Sequence, residues 1–142
     1  MTSKHQFYRR FLWHYLPPAL LILAVLALYA PYLTRTLLYD EAYSYLQYAQ
    51  SPWLALFAYA LPNNPLFHTF LMWISTSLMG DSALAIRFPS MMATLLAVAY
   101  LYRIGCRVGS RQMGLLAGAF LVTIPLLVTQ IPNGRGYTLS VL

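Results

Sequence analysis

Acidic side chains are nearly missing from this chain, with three in 142 residues against nine lysines and arginines. Charged residues of both signs make up 8%, where soluble domains carry about a quarter. That scarcity excludes an ordinary water-soluble domain. There is one cysteine, Cys106, so no intrachain disulfide forms and nothing demands an oxidising compartment. The basic residues are too scattered for a phosphate-tracking stripe, which argues against nucleic acid as a partner despite the net charge of +6. No internal repeat or low-complexity tract divides the chain, which reads as one unit.

What is present is apolar. The chain is 60% hydrophobic, with a mean hydropathy of +0.59. Residues 11–34 and 112–134 carry no formal charge, and each stretch exceeds the ~20 residues that cross a bilayer as a helix. The first has a basic front, yet Pro17-Pro18 precedes its apolar run and no small-residue cleavage site follows, so a retained anchor is expected rather than a signal peptide. The expected class is an all-α integral membrane protein.

The arginines indicate topology. Lys4, Arg9 and Arg10 precede the first span, and Arg103, Arg107 and Arg111 form a second cluster. The positive-inside rule puts both in the cytoplasm, so the chain crosses an even number of times between them. The first span, about 16–34, goes outward. The return is 84–102, with Arg87 near its outer end, where a long side chain can snorkel. The segment Pro65 to Met79 reaches only about 22 Å at 1.5 Å per residue, short of a core ~30 Å thick. It is expected to lie on or dip into the outer surface. A third span, 112–130, leaves again with a kink at Pro125, and a fourth begins at the end of the chain.

The external loop, 35–83, is therefore expected to hold two juxtamembrane helices. One runs from Glu41 to Gln50, with a continuation to Tyr59 after a bend, and the other from Pro65 to Met79. Asn64 is placed to cap the second, with Pro65 at its first position. Trp53, Trp73 and the tyrosines suit the membrane–water interface.

Two of the three acids, Asp40 and Glu41, sit side by side in LLYDEAYSYL, just beyond the first span. One reading is structural: Asp40 caps a helix, Glu41 suits the helix dipole, and Arg35 is near enough to pair with either. The other begins from cost, since desolvation disfavours a carboxylate's charge unless a cation is near. Such a group is a candidate base for a hydroxyl, or a ligand for a cation. Adjacent helical residues point about 100° apart, so the pair cannot act on one atom. One would do chemistry while the other meets an arginine or a divalent metal ion. The pattern requires no cofactor.

An Asp-Glu pair in the first external loop resembles the signature of the GT-C glycosyltransferases, among them the protein O-mannosyltransferases, the lipid A aminoarabinose transferase and the rhizobial core-sugar transferases. Three further blocks follow in matching order: PNNPLFHTFLMWISTSLMGDSALAIRFPS, YRIGCRVGSRQMGLLAG and NGRGYTLSVL. The resemblance implies an enzyme that takes a sugar from a polyprenyl-phosphate carrier and gives it to a glycan, lipid or protein acceptor. The transfer would occur on the outer side of a membrane, with a bacterial plasma membrane expected and the amino terminus cytoplasmic. It implies Asp40 as the general base. Glu41, Arg135, Tyr137 and His68 are then the residues expected at the substrate, although Pro65 directly after Asn63-Asn64 departs from the pattern that carries a His there. Family members are several times longer, so the chain is expected to be the amino-terminal part of such a protein. Two other classes stay open. A small multidrug-type transporter would place its carboxylate at mid-membrane, and a non-catalytic membrane subunit would tolerate loss of Asp40.

Overall fold

The computed structural model describes the backbone of residues 2–57 and 66–123, with side chains from Tyr15 onward in those segments except at 55 and 56. Every regular element among the described residues is a helix: α1 (Thr2–Leu33), α2 (Tyr39–Tyr48), α3 (Pro52–Phe57), α4 (Leu66–Met79), α5 (Ala83–Val108) and α6 (Arg111–Thr123). Two are long and apolar enough to cross a bilayer, α1 over Tyr15–Leu33 and α5 over Ala83–Val108. α6 enters the expected third span. The remainder of that span, Pro125 and the start of a fourth lie outside the described residues, as do Asn63, Asn64 and Pro65.

α1 runs unbroken through Pro17, Pro18 and Pro31, so the helix begins well before the expected span at about 16–34. It packs on α5 and α6. Val25, Tyr29, Ala97, Val98, Leu121 and Val122 form the core of this layer. α5 turns into α6 through Gly109 and Ser110. The amide of Gly109 closes α5 on the carbonyl of Gly105, and Ser110 Oγ accepts the amide of Met113 at 3.3 Å to start α6. The two helices approach closely because Gly105 faces Gly114. A Cβ at Gly105 would lie 2.7 Å from Gly114 Cα, and one at Gly114 would lie 2.6 Å from Cys106 Sγ.

Three short helices, rather than two, occupy the loop between α1 and α5. α2 ends at Tyr48, and Ser51 and Pro52 restart the chain as α3. Ser51 Oγ accepts the amide of Leu54 at 3.2 Å, and Pro52 holds the first helical position, where its missing N–H costs nothing. α4 then packs on α5, α3 and α2, with Ala49, Met72 and Ile86 at the centre of this second core.

α4 has an inverted amphipathicity. Its buried face carries His68, Thr69, Met72, Ser75 and Thr76, while Phe67 and Leu78 are exposed, Leu78 to 81%. In water that arrangement would be costly. In a bilayer, lipid covers the apolar side, and the polar groups must find partners within the protein. The threonines use carbonyls of their own helix: Thr76 Oγ1 donates to Met72 O at 2.9 Å, and Thr94 on α5 donates to Ser90 O at 2.8 Å. Gly80, at φ +80°, ends α4 in the left-handed region. Ser82 then starts α5 by accepting the amide of Ala85 at 3.2 Å.

Candidate active site

The acidic pair lies at the junction of α1, α2 and α5, and the two carboxylates are treated differently. Leu38, with extended backbone, is the N-cap of α2, so Asp40 is one step inside the helix rather than its cap. Glu41, at the third helical position, reaches back and accepts the amide of Leu38 at 2.9 Å. That is half of a capping box. Helical geometry turns Glu41 inward, to 1% exposure, and leaves Asp40 on the exposed side.

The partner of Glu41 is Arg87, from the start of α5. Arg87 Nε donates to Glu41 Oε1 at 2.8 Å and Nη2 donates to Oε2 at 2.6 Å, a bidentate fork. The remaining donors go to the end of α1 and the linker beyond it. Nη1 meets Tyr32 O at 2.6 Å and Arg35 O at 2.9 Å, and Nη2 meets Thr36 O at 3.2 Å. A guanidinium has five N–H donors, and all five are used. Carbonyls at and just beyond a helix end, which also carries the negative pole of the helix dipole, form a natural seat for a cation. Arg87 is 2% exposed, so the expectation that it snorkels is corrected: the carboxylate and the α1 carbonyls draw it inward. Of the two partners open to Glu41, an arginine or a metal ion, the structure holds the arginine. Arg35, the nearer candidate by sequence, lies over the Tyr32 ring at 4.5 Å. Among the described residues, no group of three or more His, Cys, Asp or Glu gathers as a metal site.

The third acid, Asp81, binds the same short helix. Tyr45 Oη donates to Asp81 Oδ1 at 2.5 Å, and that bond to a carboxylate raises the pKa of the Tyr45 phenol. Glu41 and Tyr45 are four residues apart, so they share a face of α2. Tyr39 and Tyr43 stack at 6.2 Å between centroids, beside the exposed Asp40.

His68 sits elsewhere, between α4 and α5. It is 2% exposed, and its Nε2 pairs with Ser90 Oγ at 2.9 Å. Burial pushes its pKa down to about 4. An apolar groove of about 390 Å³ opens between the same two helices, lined by Phe67, Leu71, Leu78, Phe88, Met92 and Leu96 among others. Arg135 and Tyr137 lie outside the described residues.

The segment Arg87-Phe88-Pro89-Ser90 is where reading the sequence fell short, because each of three side chains answers a group distant in the chain. Arg87 holds Glu41, and Ser90 holds His68. Pro89 lacks an N–H, which leaves the carbonyl of Ala85 without its helical donor, and Ser75 Oγ supplies one at 2.6 Å. One signal was available beforehand: a lone arginine inside an apolar span requires a partner, and the chain offers only three acids.

Two apolar helices of spanning length, taken together with the family match that follows, mark an integral membrane protein. Its family follows from comparison: the model of the dolichyl-phosphate-mannose-protein mannosyltransferases matches residues 63–137, over half the chain, and the chain belongs to that family of GT-C-type glycosyltransferases. The matched segment includes His68, Arg87, Arg135 and Tyr137 and begins after the acidic pair. No curated protein and no solved structure matches the chain.

Proposed function

We propose that Asp40 is the general base of a glycosyl transfer from a polyprenyl-phosphate-linked sugar to a hydroxyl-bearing glycan, lipid or protein on the outer side of a bacterial plasma membrane. One observation carries this reading: of two adjacent carboxylates, Glu41 is buried against Arg87, and Asp40 is exposed beyond the end of an apolar helix. As the acceptor hydroxyl attacks the anomeric carbon, Asp40 takes its proton. The C–O bond to the carrier phosphate breaks with its electron pair staying on the phosphate. Arg135, with Tyr137 two residues on in the chain, is the cation assigned to that departing phosphate, a role suited to a planar guanidinium. The carrier's isoprenoid tail suits the apolar groove between α4 and α5.

Glu41 and His68, first read as substrate residues, are better read as supports. Both are buried, and their polar atoms already meet Arg87, Leu38 and Ser90. In this reading the amino terminus is cytoplasmic, α1, α5 and the span begun by α6 cross the bilayer, and α2, α3 and α4 lie at its outer face.

The test is Asp40→Asn in the full-length protein in membranes, supplied with a polyprenyl-phosphate mannose donor. The substitution keeps shape but cannot take the proton, so turnover should fall by roughly 10²- to 10⁴-fold with donor binding nearly unchanged. Normal transfer by this variant would remove Asp40 from the mechanism.

A further inference from the structure

We infer that Arg87 is a positioning residue for the transfer, acting through Glu41 to set the rotation of α2 about its own axis and so the aim of Asp40. The inference rests on the reading of Asp40 as the base. Its geometry is independent of that reading.

α2 is short, and one point of attachment would let it roll. Two are present on one face: Glu41 on Arg87, and Tyr45 on Asp81. The first is anchored at both ends, because the same guanidinium holds the carbonyls of residues 32, 35 and 36. Arg87 thus ties the end of α1, the linker and the first turn of α2 to α5 as one body. Asp40 is the residue next to this anchor, rotated about 100° from it. A carboxylate lies about 5–6 Å from a helix axis, so a roll of only ~10° shifts it by about 1 Å. Displacements of that size can cost a reaction about 10²-fold.

Lysine is the informative replacement. Arg87→Lys keeps the charge but cannot form the fork to Glu41 while holding three carbonyls. In the full-length protein it should lower kcat by about 10- to 100-fold, the scale of an ångström-sized displacement, with the donor KM changed little. The decisive arm is Arg87→Lys combined with Asp40→Asn. If Arg87 acts through Asp40, the lysine adds no further loss to the residual rate of the Asp40→Asn protein. The same fold-loss in both backgrounds, or no loss in either, overturns the proposal.

A second measurement reads the rotation without catalysis. Ala49, at the end of α2, is 3% exposed and packs in the cluster of Met72 and Ile86. With Cys106 replaced by Ala, Ala49→Cys should resist a membrane-impermeant maleimide when Arg87 is present and react at least several-fold faster with Arg87→Lys. Continued protection refutes the orienting role whatever Asp40 does. Fast labelling together with normal transfer by Asp40→Asn refutes the base assignment instead, and leaves Arg87 as the residue that orients α2.

Discussion

Ser75→Ala deletes one hydroxyl, and its cost should depend on a residue in another helix. Pro89 leaves the carbonyl of Ala85 without its normal donor, four residues along α5. Ser75 Oγ also lies 2.9 Å from Met72 O, but a hydroxyl has a single proton, and the 2.6 Å contact to Ala85 O is the shorter. Ser75 and Ala85 are both buried. Removing the hydroxyl therefore strands a buried carbonyl, at about 1–3 kcal/mol. Pro89→Ala restores an N–H that the carbonyl can accept within α5, and in that background Ser75→Ala should cost less than about 1 kcal/mol. The coupling between the two sites is then about 1–2 kcal/mol, well above the ~0.5 kcal/mol within which independent sites add. Reversible unfolding of the four proteins in mixed micelles, followed by circular dichroism, measures it. Equal costs of Ser75→Ala with and without Pro89 would refute the reasoning and make Ser75 a mere filler of the α4–α5 seam.

Four further outcomes are expected. Glu41→Ala should destabilise the protein by roughly 3–5 kcal/mol, the usual cost of stranding one member of a buried ion pair, read in the same unfolding assay; a loss under 1 kcal/mol would show the pair to be solvated. Gly114→Leu should separate α5 from α6, since even a Cβ there meets Cys106 Sγ and the Tyr102 carbonyl below 3 Å; an unchanged crosslinking yield between cysteines placed across that hairpin would contradict the packing. His68, with its pKa near 4 in the fold against about 6.5 unfolded, contributes stability that is complete above about pH 6.5. That stability declines as pH falls toward 4, by about 3 kcal/mol in total, and the decline should vanish in His68→Gln; an imidazole NMR titration centred near 6.5 would refute it. Cysteines at Asn64 and Ser82 should label from outside and one at Ser110 from inside; opposite sides for the first two would make α4 a crossing helix.

Much of this could be read before any coordinates. The long apolar stretches dictated helices, because a bilayer allows no unpaired backbone groups, and Tyr15–Leu33 follows from that rule, as does Ala83–Val108 despite Arg87, Arg103 and Arg107. The turn at Gly109-Ser110 and the caps at Ser51 and Ser82 are local chemistry, legible as residue types. The logic of two adjacent acids was also within reach, since helical rotation alone says that one of them must look elsewhere. The short segment before Pro62 was less legible: whether the chain bends or restarts after Tyr48 depends on how Ala49 packs with Met72 and Ile86, a matter of contacts rather than propensity.

What the sequence determined by itself is the kind of molecule, because composition and the spacing of arginines act through the solvent, and the solvent is the same for every residue. The partners it could not determine. Glu41 meets Arg87 at a separation of 46 residues in the chain, not the nearer Arg35, and Asp81 meets Tyr45 at a separation of 36. Ser75 answers the carbonyl of Ala85, ten residues further along the chain and left open by Pro89, only once α4 lies on α5. Each of these contacts is worth making only in a dry interior, where an unmatched charge or carbonyl is costly. Which groups share that interior is decided by the packing of helices, and so by the tertiary structure alone.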